Sequence, residues 1–453
     1  MRAARTTAAG MRGGSAAVPR PASRPARWLQ QAMRAHQEGR LDAAEGLYRR
    51  ILALHASPDA LHYYGVLQHG RGRSEEAVAL IEKALAQVPQ YPDAHNNLGN
   101  VHKECGRLED AEACYRRALQ CDPGHHNALC NLAVVLEAQA RLDEAFECHG
   151  RLATQAPGFA HGRHMMGLFL RTHAEHREHV EQAAGCFADA SRLDPRNVRA
   201  LEALGVTLYF LGRQEEAADV HREWLRREPD NPIPRHMLAA CGGAQAPPRA
   251  ADDYVRDLFD GFAASFDEQL VGNLDYRAPQ LLADALAAEP ETGMQVLDAG
   301  CGTGLCGPLL RDQARTLVGV DLSQGMVTAA RRRGGYDRLV VGELTAFIEA
   351  DEAAWDVIAS ADTLVYFGDL QAVVSASWRA LRPRGRLAFT VEALAADGDR
   401  VELGASGRYR HSRAHLERVL ARAGFMCPRI DAADLRREAG EAVRGWVVVA
   451  RRD

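Results

Sequence analysis

Two hydrophobic patterns divide the chain. Up to about residue 241, apolar residues recur at helical spacing, and small residues and prolines return about every 34 positions, the interval of a helical repeat. From about residue 251 onward, short apolar runs alternate with helical stretches. The first pattern predicts stacked pairs of helices, and the second predicts a parallel sheet covered by helices on both faces.

The repeat is marked by small residues and prolines. Gly65, Gly99 and Gly205 are each followed at constant offsets by a second glycine, an alanine and a proline. These later markers are Gly72, Gly106 and Gly212, then Ala77, Ala111 and Ala217, and finally Pro89, Pro123 and Pro229. Small residues let two antiparallel helices approach closely, and the proline ends the second helix of each pair.

The block from Asn97 to Pro123 resembles a tetratricopeptide repeat at nearly every marker position. We predict a solenoid over 25–241, made of six repeats and a capping helix. The repeats are placed at 25–57, 58–91, 92–125, 126–159, 160–197 and 198–231. The first repeat has Ala32 where glycine is usual, and the fourth has Ala133 and Ala140 in its glycine positions.

The fifth repeat is longer than the others and carries histidines at intervals of three. His173, His176 and His179 fall in the extra stretch, and this spacing brings imidazoles together on a helix. No carboxylate–histidine pattern accompanies them, so a solvated, lengthened turn is favoured over a metal site. We therefore predict no metal.

A stacked array offers a groove for a peptide or protein ligand. Asn97 and Asn131 occupy equivalent positions on first helices, where they are expected to face that groove and bond a bound backbone. The basic residues that clamp a carboxylate in chaperone-binding members are not apparent. A protein partner is thus predicted, and the alternative, in which the array only dimerises the chain or packs on its neighbour, stays open.

The pattern after a glycine- and proline-rich linker at 242–250 is that of an α/β domain over 251–453. Strands are predicted at 295–299, 316–322, 338–342, 355–361 and 386–391, with two more near 425–431 and 442–451. Helical stretches between them supply the crossovers of a parallel sheet.

One stretch carries chemistry: Val296-Leu297-Asp298-Ala299-Gly300-Cys301-Gly302-Thr303-Gly304. A buried strand ends in an acid and turns through three alternating glycines, which are needed where the backbone bends sharply and approaches a ligand. Asp321 ends the next strand, where a carboxylate accepts both hydroxyls of a ribose.

Gly302, Gly304 and Gly307 also fit the dinucleotide fingerprint, so an NAD-dependent oxidoreductase is an alternative. Dinucleotide strands run apolar into the first glycine, whereas Asp298 stands two residues before Gly300. An acid suits a cofactor with a cationic amino group and repels a pyrophosphate.

With this motif and its two final strands, 251–453 resembles a class I S-adenosylmethionine-dependent methyltransferase with a seven-stranded, Rossmann-like sheet. The whole chain resembles the bacterial methyltransferases that carry an N-terminal tetratricopeptide array. The resemblance implies S-adenosylmethionine as the cofactor. The alternative is an interaction adaptor whose cofactor domain is vestigial, although the intact glycines oppose it.

The resemblance also implies which residues hold the cofactor. Gly300, Cys301, Gly302 and Gly304 are expected at its methionine part, with Asp298 near the ammonium and Asp321 on the ribose. The remaining cofactor candidates are Leu322, Met326, Glu343 and Leu344, together with Phe266 and Tyr276 from the segment that lids the site in relatives.

The acceptor is less defined, because 361–364 lacks the signature of nucleic-acid amino methyltransferases. We predict methyl transfer to oxygen, with a carboxylate as one candidate acceptor. Segment 407–412 is expected to capture the substrate, and a solvated helix entry is its alternative reading. The substrate candidates are Arg408, Arg410 and Tyr366, and the catalytic candidates are His411, Tyr409 and Asp362.

Composition excludes several of the remaining classes of function. Of 55 basic residues only Lys83 and Lys103 are lysines, so the second half has neither a phosphate-loop lysine nor a Schiff-base lysine. The net charge of −5 argues against a nucleic-acid partner, and no apolar run reaches the roughly 20 residues of a membrane span. Ten scattered cysteines predict a reducing cytoplasm. Residues 1–24, rich in arginine, are expected to form a disordered arm, with a targeting segment as the alternative.

Overall fold

The computed structural model describes residues 24–263, 266–267, 275–288, 291–438 and 441–453. Two compact units divide the chain between Met166 and Gly167. The predicted basic arm lies outside the described residues except for Arg24, which begins the first helix. No described helix has both the length and the apolar character needed to cross a bilayer.

The first unit consists of helices that pack in antiparallel pairs. They are α1 (Arg24–Gln37), α2 (Leu41–Leu52), α3 (Pro58–Gly70), α4 (Ser74–Gln87), α5 (Pro92–Glu104), α6 (Leu108–Cys121), α7 (His126–Ala138) and α8 (Leu142–Gln155), and α9 (Ala160–Thr172) crosses into the second unit. A Cβ on Gly99 would lie 2.5 Å from the Tyr115 ring, which explains the glycine in α5. The turn after α5 needs the left-handed conformation of Gly106 (φ 76°), and Ala140 adopts it too (φ 59°) in the fourth repeat.

Helices also open the second unit, before its sheet. After the end of α9 come α10 (Arg177–Leu193), α11 (Arg199–Phe210), α12 (Gln214–Arg227) and α13 (Pro232–Ala240), and then α14 (Asp252–Phe262) and α15 (Ala278–Ala287). Proline at the first position and Asn231 as the N-cap begin α13. His236 of α13 stacks on Tyr254 of α14 with ring centroids 4.0 Å apart, so these two helices pack directly.

Nine strands form the sheet in the described part of the second unit. They are β1 (Met294–Ala299), β2 (Ala314–Asp321), β3 (Arg338–Val341), β4 (Trp355–Ser360), β5 (Leu381–Ala393), β6 (Val401–Leu403), β7 (Tyr409–His411), β8 (Met426–Glu438) and β9 (Glu441–Arg451). The helices between them are α16 (Gly307–Leu310), α17 (Gln324–Arg333), α18 (Leu344–Glu349), α19 (Gln371–Ala380) and α20 (Arg413–Ala423). The predicted combination of a helical repeat array and an α/β sheet is confirmed.

Parallel pairing gives the order β3-β2-β1-β4-β5, and β9 and β8 follow antiparallel beyond β5. These are the seven predicted strands. The short pair β6–β7 was not predicted, because three-residue strands carry no readable alternation and depend on pairing with the end of β5.

The register places the chemistry at one edge of the sheet. Ala299 of β1 lies beside Val320 of β2, and Asp298 beside Gly319, so both strands end together. Strand β4 runs parallel on the other side of β1. Because parallel strands direct their carboxyl ends to the same edge, the turns after β1, β2 and β4 meet there.

Candidate active site

A cavity of about 660 Å³ opens at the carboxyl ends of β1, β2 and β4. Most of the residues predicted for the cofactor and the substrate line it. They are Phe266, Tyr276, Gly300, Cys301, Gly302, Asp321, Leu322, Met326, Glu343, Leu344, Asp362, Tyr366 and Arg408. The structure does not place Asp298, Gly304, Tyr409, Arg410 or His411 in the cavity wall.

The glycine turn follows β1 directly. Gly300 (φ 83°), Gly302 (φ 52°) and Gly304 (φ 86°) all take positive φ values that side chains disfavour. A Cβ on Gly300 would lie 2.2 Å from the Thr363 hydroxyl oxygen, whereas one on Gly302 would meet nothing within 4 Å. Gly300 is thus required for packing, and Gly302 leaves open space beside its backbone for a ligand.

Asp321 closes the turn from the neighbouring strand. Its carboxylate accepts the backbone N–H of Gly302 at 2.9 Å and that of Ser323 at 2.9 Å. Burial raises the pKa of Asp321, against the effect of these backbone donors. A carboxylate has about four acceptor positions, so two bonds leave it able to accept further donors from the cavity.

Asp298 lies behind the turn, fully buried. One carboxylate oxygen accepts the Tyr336 hydroxyl at 2.5 Å, and the other, Oδ1, has no hydrogen-bond partner among the described residues. Burial raises the pKa of Asp298 to about 7. Tyr336 was not predicted, because it precedes β3 in a loop without any motif and meets Asp298 only through the fold.

Glu343 and Met326 have structural contacts as well as a place in the cavity wall. Glu343 caps α18 by accepting the backbone N–H groups of Thr345 at 3.0 Å and Ala346 at 2.7 Å. Met326 is buried in α17. The positions of Glu343 and Met326 therefore agree both with the predicted role at the cofactor and with a structural role.

Aromatic rings of α14 and its neighbour form one wall of the cavity. The centroid of Phe266 lies 5.5 Å from that of Phe262 and 6.1 Å from that of Phe259, which in turn lies 5.5 Å from Tyr366. Edge-to-face contacts of this kind are favourable between rings. Phe259, Phe262 and Phe266 thus all face the cavity.

Two unpredicted acids fasten this aromatic wall to the glycine turn and to α17. Asp260 accepts the hydroxyl of Ser323 at 2.5 Å and the backbone N–H of Gly325 at 3.0 Å. Asp267 accepts the hydroxyl of Thr303 at 2.5 Å and pairs with Arg333. Only the fold brings these pairs together.

Five charged groups form a largely buried cluster, and two of them, Asp362 and Arg408, line the cavity. Arg436 of β8, which is fully buried, pairs with Asp362 at 3.0 Å, with Glu438 at 2.8 Å and with Glu392. Arg408 pairs with Glu438 at 2.6 Å. Burial acts to lower the pKa of Arg408, but Tyr366 and the surrounding acids hold this pKa well above the usual value. Three of these five residues, Glu392, Arg436 and Glu438, were not predicted.

The structure differs from the prediction at 407–412. Tyr409–His411 is strand β7, paired with β5 and β6, and not an open capture loop. The Tyr409 hydroxyl donates to the Pro247 carbonyl at 2.6 Å, and Arg410 pairs with Glu402 at 2.5 Å. His411 is buried, which lowers its pKa to about 3. Of the residues proposed there, only Arg408 reaches the cavity.

In the first unit the predicted groove asparagines bond to the neighbouring repeats. The Asn97 amide lies 2.8 Å from Nε2 of His62, and the Asn131 amide donates to Asn96 and Asn100, both at 3.0 Å. Their amides thus join successive first helices.

In the second unit, the rings of His176 and His179 lie 5.7 Å apart. Within the described ranges, no group of three or more histidine, cysteine or acidic side chains is arranged to hold a metal ion.

Comparison with protein families identifies the two parts. A methyltransferase domain family matches 297–389. Tetratricopeptide repeat families match 67–104, 92–125, 114–147 and 172–232. The chain therefore carries a methyltransferase domain preceded by tetratricopeptide repeats.

Curated relatives of the chain include O-methyltransferases. The malonyl-[acyl-carrier protein] O-methyltransferase of Serratia marcescens is 31% identical over 28% of this chain and 49% of its own length. That of Enterobacter lignolyticus is 37% identical over 31% and 55%. The ubiquinone biosynthesis O-methyltransferase of Idiomarina loihiensis is 30% identical over 22% and 42%. The chain thus spans about half the length of these relatives.

Solved structures of low sequence identity also show similarity to the chain. The Pseudomonas aeruginosa pilF protein is 19% identical, with 46% of this chain and 92% of that chain covered at a TM-score of 0.39. A putative S-adenosylmethionine-dependent methyltransferase from Listeria monocytogenes is 17% identical, with 39% and 97% covered at a TM-score of 0.32.

Proposed function

We propose that the chain is an S-adenosylmethionine-dependent methyltransferase that methylates an oxygen acceptor, with a carboxylate favoured. The repeat array recruits or presents a protein partner or substrate. The observation that carries the proposal is a glycine turn placed between the buried Asp298 and the partly exposed Asp321 at one end of a 660 Å³ cavity.

The residues present fit this cofactor. Oδ1 of Asp298 is a buried acceptor without a partner in the described chain, and a cationic ammonium group supplies the charge it needs. Asp321 keeps acceptor capacity toward the cavity for ribose hydroxyls. Gly302 leaves the space that a close approach requires. When bound, the cofactor supplies an electrophilic methyl group on a sulfonium.

The chain's own contribution is to position the reactants and exclude water. The rings of Phe259, Phe262 and Phe266 cover the cavity, and Asp260 and Asp267 fasten them over the glycine turn. Holding two reactants in line removes much of the entropic barrier of a bimolecular displacement. An ionised carboxylate acceptor needs no general base, which agrees with His411 standing outside the cavity wall.

Arg408 is the residue that favours a carboxylate. It lines the cavity, and one of its guanidinium nitrogens donates to Glu438 at 2.6 Å. Since a guanidinium carries five N–H donors, donors are left for an anionic acceptor. Relatives named for O-methyl transfer to a malonyl group, which ends in a carboxyl, support the same class.

Calorimetric titration of S-adenosylmethionine into the full chain tests the cofactor assignment. We expect binding by the wild type and a loss of about tenfold or more in Asp321→Ala, since hydrogen bonds to charged groups contribute about 1.5–3 kcal/mol. Asp337→Asn is the matched control, because Asp337 lies outside the cavity wall and pairs with Arg311. No binding heat, or equal affinity in Asp321→Ala, would contradict the proposal, and a parallel titration with NAD tests the oxidoreductase alternative.

Incubation of a cell lysate with tritium-labelled methyl donor tests the acceptor. Label that is released by mild base identifies a methyl ester and thus a carboxylate. Base-stable label on nitrogen or carbon would refute the oxygen acceptor while leaving methyl transfer itself established.

A further inference from the structure

One face of α11, a helix of the repeat array, leads into the cavity. Glu202, Val206 and Phe210 are spaced four residues apart, so they form a single stripe on the helix. Val206 is 38% exposed and Phe210 is 50% exposed. At 1.5 Å per residue the stripe runs about 12 Å along the helix. We call these three residues the α11 face.

The α11 face ends in the cavity wall. Glu202 lines the cavity that holds the proposed cofactor residues, and so does Ile233 of α13. Both belong to the second compact unit, together with the whole sheet. A helix of the repeat array therefore helps to build the cavity.

Glu202 is an acid without a fixed counterion. Its carboxylate makes no ion pair or hydrogen bond with any described residue, although the charges of Arg199 and Arg171 act on it from a distance. Glu202 is exposed where it lines the cavity, so its carboxylate is open to an incoming ligand. A cationic group on that ligand can pair with it.

These features define the occupant. An extended polypeptide covers 12 Å with about four residues, at roughly 3.3 Å each, and its alternate side chains point to one side. Val206, Phe210 and the unpaired carboxylate of Glu202 match a ligand segment that carries apolar side chains next to a basic one. A small molecule that fits inside the cavity would not contact Phe210, which lies outside the cavity wall.

We propose that the α11 face docks the methyl acceptor, and that the acceptor is an extended segment of a partner polypeptide, with apolar residues beside a basic residue. The methyl-accepting side chain then passes Glu202 into the cavity. This inference rests on the proposed methyltransferase function and adds the route and the class of the substrate. It also makes part of the repeat array an integral wall of the acceptor site.

The test uses the full chain and tritium-labelled methyl donor in a lysate of cells that lack the protein. Phe210→Ala, Val206→Ala and Glu202→Gln are compared with Phe146→Ala. Phe146 is a close match, because it is 48% exposed and also has an exposed aliphatic residue, Leu142, four positions earlier. Melting temperatures confirm that the variants fold.

We expect unchanged cofactor affinity by calorimetry in all four variants. The initial rate of protein labelling, at limiting lysate concentration, is expected to fall about fivefold or more in Phe210→Ala, as for an interface residue whose truncation costs about 1 kcal/mol, and to stay unchanged in Phe146→Ala. Benzoylphenylalanine placed at position 210, but not at position 146, is expected to crosslink to polypeptide that carries the methyl label.

Each of the other outcomes would contradict one part of the proposal. Equal labelling by Phe210→Ala and the wild type, or crosslinks without methyl label, would overturn the docking surface. Label confined to small molecules or to a carrier-bound acyl group would overturn the polypeptide occupant while the methyltransferase function stands. Absence of cofactor binding by the wild type would overturn both.

Discussion

Asp298→Asn is the most informative single change, because the structure assigns opposite effects to it with and without cofactor. Asp298 is fully buried with one unpartnered oxygen, and burial raises its pKa to about 7 from an ordinary value of 3.8. The folded state therefore binds the proton more tightly than the unfolded state does. Stability from this group is fully present below pH 4 and is lost as pH rises through 7.

The magnitude follows from the shift in pKa. Each unit corresponds to 1.36 kcal/mol, so a shift of about three units costs up to about 4 kcal/mol at pH 8 in the cofactor-free protein. Asparagine carries no charge and removes this cost. Its amide N–H group is left without a hydrogen-bond partner, which destabilises the variant by about 1–3 kcal/mol. The variant is thus expected to be more stable than the wild type by about 1–3 kcal/mol at pH 8.

Scanning calorimetry of both cofactor-free proteins between pH 5 and pH 8 measures the effect. The advantage of Asp298→Asn in melting temperature is expected to grow by roughly 4 °C between pH 5 and pH 7, then level off. Asp337→Asn provides a control of opposite sign, since Arg311 lowers the pKa of Asp337. That variant loses stability above pH 4 and shows no change between pH 5 and pH 8.

Cofactor binding is expected to reverse the preference. A cationic ammonium beside Asp298 stabilises its charged form, so the wild type releases a proton on binding near pH 6. Calorimetry in two buffers with different ionisation enthalpies detects that proton, which is absent in Asp298→Asn. The variant is expected to bind the cofactor about tenfold more weakly or worse. A pH dependence of stability shared by the two proteins would refute the reasoning.

Three further changes follow from close contacts. Gly300→Ala is expected to lower melting temperature more than Gly302→Ala, because its Cβ would clash with Thr363 at 2.2 Å, whereas Gly302 has no neighbour within 4 Å; Gly302→Ala is expected to lower cofactor affinity by filling the space left for the ligand, and calorimetry on both variants decides. Arg436→Met leaves buried carboxylates uncompensated and is expected to cost about 3–5 kcal/mol, measured as a lowered melting temperature; an unchanged value would show that the cluster contributes nothing. Asp260→Ala frees the aromatic wall and is expected to speed cofactor dissociation in stopped-flow measurements, with an unchanged rate counting against a lid role.

The sequence alone determined the features that depend on local spacing. Gly99 and Gly106 mark a close helix contact and a left-handed turn, and both requirements are visible as a glycine at a fixed interval. The strand that carries Asp298 and the glycine turn after it follow from an apolar run and the permissive backbone of glycine. Because parallel strands end at one edge, Asp321 was expected beside them, and the register confirms that the two strands end together.

Only the tertiary structure decided the partners of these residues. Tyr336 meets Asp298 across 38 positions, and Arg436 meets Asp362 across 74. Hydrophobic periodicity reports which face of an element is buried, but it carries no information on which distant element packs there. The same limit hid the contribution of α11 to the cavity, because the helical pattern alone does not show that Glu202 lines the same cavity as the glycine turn. Local pattern fixed the elements and the turn, whereas long-range packing selected the charges around them.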